Sequence, residues 1–441
     1  MIVELLQELI RNRCVNDGTP ESGQEVRSVA TIADLLGERG VVVEPLPGRQ
    51  SVIYRVPGTN PESPALLLLP HLDVVPANPA GWEVDPFAAE ITDGFVWGRG
   101  AIDMLNVTAA MLVVFGEFWR GARAPLPGDL ILAAVADEEA AGRLGARYLV
   151  EERLDLVDAP FVLTEVGYPA LPSPAGLIYP VAVGEKGPFW TKVKSSGTPG
   201  HGSTPFGADN ALAALVAGVG RLFDAESPVT MTDVWTSLVL ALGFGPDLAE
   251  RLLDPEQLDG AIEDLAVEDP LLARYFHAIT HLTISPNVLR GGIKANMIPD
   301  QAVAELDIRA LPGTDRTTVN EVLRKLMGAP GEKLELEPVA DHLSYFSGRD
   351  NPLWEAVAAS FFDHTSSNRL QPVTIPATTD ARFFRSRGAV AYGVGLYDDQ
   401  LTFGEFLALF HGHNERVSID SLHKTTDLLR STLQHFGHLT A

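Results

Sequence analysis

Residues 65–76 read Ala65-Leu66-Leu67-Leu68-Leu69-Pro70-His71-Leu72-Asp73-Val74-Val75-Pro76. An unbroken apolar run of this length, ended by proline, predicts a strand buried on both faces. His71 and Asp73 stand two apart just past its end, so an extended backbone points both side chains the same way. An imidazole beside a carboxylate is a usual way to build a metal ligand with a fixed tautomer. A His–Asp pair at a strand end is more often a self-satisfied hydrogen-bonding pair, so the reading depends on what accompanies it.

Similar strand ends recur downstream. Asp129 to Ala136 is an apolar strand that stops at Asp137-Glu138-Glu139, and Phe161 to Thr164 is another that stops at Glu165. The segment Trp97-Gly98-Arg99-Gly100-Ala101-Ile102-Asp103-Met104 delivers Asp103 just before a helix predicted from about Asn106 to Trp119. Its glycines lack the third glycine and the strand-turn-helix frame of a dinucleotide fingerprint. Asp103 has a simpler role open to it as a helix cap. Adjacent acids after a buried strand are harder to dismiss, because burying them unpaired is expensive. His411 and His413 add imidazoles near the C-terminus. Strands alternating with helices predict an α/β fold with a mostly parallel sheet covered on both faces. Ligands of such sheets bind outside the carboxyl ends of the strands, where these residues would converge. Imidazoles and carboxylates without thiolates suit zinc, with cobalt or manganese as substitutes. Two sets of ligands sharing one aspartate suggest two metals about 3.5–4 Å apart.

The α/β pattern is interrupted. From about Gly184 to Asp341 the order becomes strand, helix, strand, strand, helix, strand, and Ala302, Ala304, Leu306, Ile308 and Ala310 alternate with Val303, Glu305, Asp307, Arg309 and Leu311. That order with one exposed sheet face predicts a ferredoxin-like α+β domain inserted in the first. The expected division is 1–183 and 342–441 for the metal-binding domain and 184–341 for the insert. Within the insert, Met231 to Thr283 reads as a further helical insertion. His277 and His281 there are spaced like a zinc helix, but no glutamate follows His277, so they read as ordinary helix residues.

A net charge of −25 over 441 residues disfavours nucleic acid and anionic membranes as partners. The single cysteine, Cys14, permits neither an intrachain disulfide nor a thiolate zinc site, and its apolar helical setting predicts a packing role. Met1 to Val15 is amphipathic and interrupted by Glu4 and Glu8, unlike a signal peptide, so a cytoplasmic location is expected.

Together, Pro70-His71-Leu72-Asp73, Gly98-Arg99-Gly100-Ala101-Ile102-Asp103-Met104, Asp137-Glu138-Glu139, Glu165 and Gly197-Thr198-Pro199-Gly200-His201-Gly202-Ser203-Thr204-Pro205 resemble the co-catalytic zinc aminoacylase/carboxypeptidase family. Its members include aminoacylase-1-type enzymes, succinyl-diaminopimelate desuccinylase, acetylornithine deacetylase and glutamate carboxypeptidase. The resemblance runs from the first helix to Asn414-Glu415-Arg416-Val417. It implies a zinc-peptidase-like α/β domain with an inserted lid and dimerisation domain, and two zinc ions as cofactors. It also implies that His71, Asp103 and Glu165 hold one metal, with Asp73 fixing the His71 ring. Asp103 would bridge to a second metal held by Glu139 and His411, and Glu138 would be the general base. The ligand's place three residues before Asn414 selects His411 over His413. His201, from the lid, would reach the site of a partner subunit in a homodimer and steady the oxyanion. Asn296, Arg309 and Arg382 would face the substrate. Leu105 departs from the lysine the family often has there, at a position that is not a ligand. The implied activity is hydrolysis of an amide bond in a dipeptide or N-acyl amino acid. An N-acyl-amino-acid deacylase is the rival to a peptidase, and a non-catalytic homologue is a weaker one because Glu138 is retained. A serine hydrolase is disfavoured because no Gly-x-Ser-x-Gly elbow is present.

Overall fold

The apolar runs assemble into one eight-stranded sheet in a computed structural model, which describes residues 1–441. The strand order is Val41–Leu46, Arg49–Val56, Leu130–Ala134, Leu66–Leu68, Phe161–Thr164, Val390–Gly393, Tyr179–Glu185 and Leu370–Ile375. The pairings around Leu66–Leu68 and Phe161–Thr164 are parallel, as is the outermost one, Tyr179–Glu185 with Leu370–Ile375. The Val41–Leu46 edge is antiparallel, and Val390–Gly393 meets Tyr179–Glu185 antiparallel at a single residue pair. Alternation explains why each central strand is apolar throughout. Leu66, Leu68, Leu130 and Leu132 join the larger core, while Leu67, Leu69, Ile131 and Ala133 join a second core on the opposite face. The helix Leu105–Trp119 is buried almost all round, in keeping with an apolar helix sealed between other elements.

The insert is a five-stranded antiparallel sheet, with Thr283–Gly291, Gln301–Ala310, Thr191–Ser196 and Glu335–Pro338 in that order and the short Gly187–Pro188 pairing the end of Gln301–Ala310. With the helices Ala211–Leu222 and Arg316–Met327 this is the ferredoxin-like arrangement, and it has its own small core. The predicted alternation holds: Ala302, Ala304, Leu306 and Ile308 are buried and their neighbours half-exposed.

The Met231–Thr283 stretch forms four helices, Asp233–Leu242, Pro246–Leu252, Leu258–Glu268 and Pro270–Thr280. Although it falls within the insert in sequence, it packs elsewhere. Trp235, Leu238, Leu265 and Phe276 belong to the core of the large sheet, not to that of the insert. Tyr275 Oη donates to the Thr374 carbonyl at 3.0 Å, and Gln371 Nε2 donates to Ser237 Oγ at 2.9 Å. The helices thereby cover Leu370–Ile375, the edge strand of the large sheet. No helix is long and apolar enough to cross a membrane. Cys14 is buried with its Sγ 3.3 Å from Ser28 Oγ. A three-stranded sheet, Ile91–Thr92, Phe95–Trp97 and Arg416–Ser418, joins the loop before Asp103 to the segment after His411.

Candidate active site

Each acid singled out by the sequence stands where a strand or tight loop ends. His71 follows Leu66–Leu68 and bridges to Val135, so it lies level with the end of Leu130–Ala134. Glu138 and Glu139 begin a short 3-10 turn after that strand, and Asp137 turns the chain with a left-handed φ of 72°. Glu165 caps the end of Phe161–Thr164, followed by Val166 at φ 69°. Sparsely populated backbone at three such positions, His411 included, is typical of a site held by its surroundings.

The side chains converge. His71 Nε2 lies 3.4 Å from Asp103 Oδ1 and 3.7 Å from Glu165 Oε2. His411 Nε2 lies 3.3 Å from Asp103 Oδ2 and 3.2 Å from Glu139 Oε2. Asp103 therefore sits between two imidazoles, one oxygen toward each. Glu138 clusters with His71 and Glu165. His71 is 2% exposed, yet its Nε2 has no hydrogen-bond partner, and neither does Glu139 Oε1. Orphaned buried atoms around four clustered carboxylates fit divalent cations, and the all-nitrogen-and-oxygen donor set suits zinc, cobalt or manganese.

The electrostatics agree. Burial, then the charges of its neighbours, pushes Glu138 well above the usual carboxylate range and Glu165 up to about 8. Burial opposes charge on His411, but Asp103 and Glu139 win and hold it at about 11. The same contest leaves His71 well above its ordinary value. A surplus of negative charge that draws protons onto both imidazoles is a surplus that metal ions would neutralise.

Asp73 has a different part from the expected one. The His71 ring Nδ1 donates to the Asp73 backbone carbonyl at 2.9 Å, while the nearest carboxylate oxygen is 3.7 Å away. The carboxylate instead accepts from the backbone N–H of Glu138 at 3.2 Å and of Glu139 at 3.1 Å. It thus fixes the turn that carries both acids.

Several residues without a sequence signal complete the site. Asn16 Nδ2 donates to Asp73 Oδ2 at 2.8 Å. Arg49, 1% exposed, joins Asp137 Oδ1 at 2.7 Å to Glu25, which it grips with two nitrogens. Glu415, 0% exposed, accepts from the backbone N–H of Ile102 and Asp103 at 2.9 and 3.1 Å and from Arg99 Nη1 at 2.7 Å. Arg99 Nη2 in turn donates to the His411 carbonyl at 3.3 Å. Glu415 was legible only as part of a longer motif, without a role.

The cluster forms the floor of a cleft of about 440 Å³ between the large sheet and the insert. Its walls include Val166, Tyr168, Trp190, Ile375, Leu407 and Phe410. Arg309 and Arg382 also line it. Arg309 is held by Asp307 and reaches across to Thr378 Oγ1 at 2.8 Å. Arg382 donates to the carbonyls of Thr379 and Ala141 at 2.5 and 2.8 Å, so it braces the turn of Glu138. His201 and Asn296 stand apart from this chain's cleft. Both are exposed, at a two-stranded ribbon of Gly200–His201 and Met297–Ile298, where Gly202 N–H donates to the Asn296 carbonyl at 2.8 Å. Asn296 therefore stands with His201 at this ribbon, outside the cleft of its own chain. His413 is exposed and lies against Gly81.

Residues 67–435 match the model of peptidase family M20/M25/M40. The chain belongs to that family. Aminoacylase-1 of Sus scrofa is 28% identical over 420 residues, covering 94% of this chain and 90% of its own. The M20-family fold is also that of two solved structures of low sequence identity. One is the metallo-carboxypeptidase Sso-CP2 from Sulfolobus solfataricus, with a TM-score of 0.75, 19% identity and 99% of each chain covered. The other is human carnosine dipeptidase 1, with a TM-score of 0.71, 18% identity, and 99% of this chain and 96% of that one covered. The M20-family chain is accordingly a metal-dependent hydrolase of amide bonds in small substrates.

Proposed function

We propose that this enzyme is an N-acyl-amino-acid amidohydrolase that uses two zinc ions. His71, Asp103 and Glu165 would hold one ion, and Asp103, Glu139 and His411 the other. The observation that carries the reading is Asp103 between two imidazoles at the floor of an apolar-walled cleft. Bound ions of this kind polarise an amide carbonyl and lower the pKa of water toward neutrality. Glu138, beside His71 and Glu165, takes the proton of the attacking water and returns it to the leaving nitrogen. Asp73 and Arg382 keep the Glu138 turn in place through its backbone. Arg382 brings the cleft positive charge that suits the carboxylate of an amino acid, and Arg309, held by Asp307, lines the same wall.

The cleft favours an acyl group over the free ammonium of a dipeptide. Outside the cluster its acid is Asp307, which is already bound by Arg309 and by Trp190 Nε1 at 2.9 Å. The remaining wall is largely apolar, which suits an apolar acyl or side-chain group. The sequence relative named aminoacylase-1 supports the same choice. The test is a panel of N-acyl amino acids and unblocked dipeptides on zinc-loaded protein. The N-acyl compounds should lead in kcat/KM by about tenfold or more. Faster cleavage of the dipeptides would overturn the acyl reading and leave amide hydrolysis standing.

The proposal includes a homodimer through the insert, which carries the exposed apolar residues Phe206, Val216, Leu289, Ile293 and Met297. His201, on the same ribbon as Met297, would then enter the partner's cleft.

A further inference from the structure

The side-chain donors lining the cleft are nearly all engaged within the chain. Trp190 Nε1 donates to Asp307, Thr378 Oγ1 to the Lys186 carbonyl, and Thr379 Oγ1 to Glu185. Arg309 is bound to Asp307 and Thr378, and both terminal nitrogens of Arg382 sit on carbonyls. Two donors are left over. One is Arg382 Nε, buried without a partner. The other is the hydroxyl of Tyr168, which lines the cleft beside Asp103, Glu165 and His411.

Tyr168 is rigidly placed. It lies three residues beyond Glu165, so one short turn carries both. Val166 takes a left-handed φ of 69°, and Gly167 is pressed so close to Gly395 that a Cβ would meet its backbone nitrogen at 2.2 Å. The turn therefore has little freedom. The phenol ring is 2% exposed and is packed against Phe403 and Phe406 at centroid distances of 5.3 and 6.4 Å. Burial raises its pKa further above its already alkaline ordinary value. The hydroxyl is a proton-bearing donor at any working pH. A fixed donor in a largely apolar wall is the arrangement that stabilises developing negative charge at little reorganisation cost.

We propose that Tyr168 is a catalytic residue, whose hydroxyl donates a hydrogen bond to the scissile carbonyl oxygen as that oxygen gains negative charge. The inference rests on the amide-hydrolase reading of this cleft, and not on the choice between acyl amino acids and dipeptides. It assigns an oxyanion donor in the same chain as the acids, separate from His201.

The experiment compares Tyr168→Phe with wild type, each zinc-loaded, on whichever amide substrate wild type cleaves fastest. Phenylalanine keeps the ring and its packing and removes only the donor. The expected result is a fall in kcat of about a hundredfold with KM within about twofold. Metal content and melting temperature should not change. A phosphinate isostere of the tetrahedral state should lose affinity by a factor close to the fall in kcat, while the carboxylate product binds as before. An unchanged kcat, a rise in KM alone, or a rate loss matched by metal loss would each overturn the assignment. A wild type inactive on every amide would instead refute the hydrolase reading, before Tyr168 entered.

Discussion

Glu415→Gln separates the support of the site from its chemistry. The Glu415 carboxylate is fully buried and meets only donors: two backbone N–H groups of the Asp103 loop and the Arg99 guanidinium. A glutamine offers one oxygen and one NH2, so an NH2 must face either the loop N–H groups or Arg99. In both cases donor meets donor, and Arg99, 3% exposed, keeps a charge without its counter-charge. Removing one partner of a buried pair costs about 3–5 kcal/mol, and the retained amide oxygen puts this case near the lower end, about 3 kcal/mol. The loop that positions Asp103 loosens, as does the Arg99 contact that holds the His411 carbonyl. Loss of a group that orients ligands costs about ten- to a hundredfold in metal affinity. The assay is urea unfolding of chelated protein followed by circular dichroism, with a competition titration of zinc on the same samples. The chelated variant should unfold at a lower urea midpoint and bind zinc more weakly. A wild-type midpoint and wild-type zinc affinity together would refute the argument that Glu415 and Arg99 hold the site in place.

The remaining predictions address the ligands, the subunits and the junction between domains. His411→Ala should lower metal content and activity, while His413→Ala, an exposed residue outside the cleft, should leave both near wild type; atomic emission and rate measurements decide. Mixing His201→Ala with Glu138→Gln subunits should restore part of the activity if His201 acts across a dimer, and no recovery in proven mixed dimers would exclude that role. Lys186 is buried at the start of the insert, with Nζ donating to the carbonyls of Ala278 and His281 and to Thr283 Oγ1, each at 2.8 Å. Burial pulls its pKa down to about 7, so between there and about 10.4 the folded chain binds fewer protons at this site than the unfolded one. Its contribution to stability should therefore rise with pH over that window. Lys186→Met should flatten the rise in urea midpoint between pH 7 and pH 9.5, and an equal rise in both proteins would refute this.

The parts of the site that were legible in sequence are those with a local pattern. An apolar run fixes a strand, and an acid just beyond it lies at the strand's end, so His71, Glu138, Glu139 and Glu165 could be brought to one crevice by reasoning about sheets alone. The alternation in Gln301–Ala310 likewise revealed a one-sided sheet and with it the α+β insert. What failed to show depends on orientation or on distant partners. Whether Asp73 meets His71 through its carbonyl or its carboxylate is a matter of a few torsions. Glu25, Arg49, Asn16 and Arg99 find their partners across the fold, and no spacing announces them. The stretch 231–283 reads as helical, but a helical reading does not say against which surface the helices pack. They chose the open edge of the large sheet, where the Trp235 and Phe276 side chains are buried.

The central claim is that a metal pair and Glu138 together perform the hydrolysis. Its most direct measurement is kcat and metal content of Glu138→Gln, determined on the same preparation. Glutamine keeps the size of the side chain but cannot accept and return a proton. The account predicts two metal ions per chain, as in wild type, with kcat lower by about a hundredfold or more. A variant that holds both metals and turns over at the wild-type rate would contradict it.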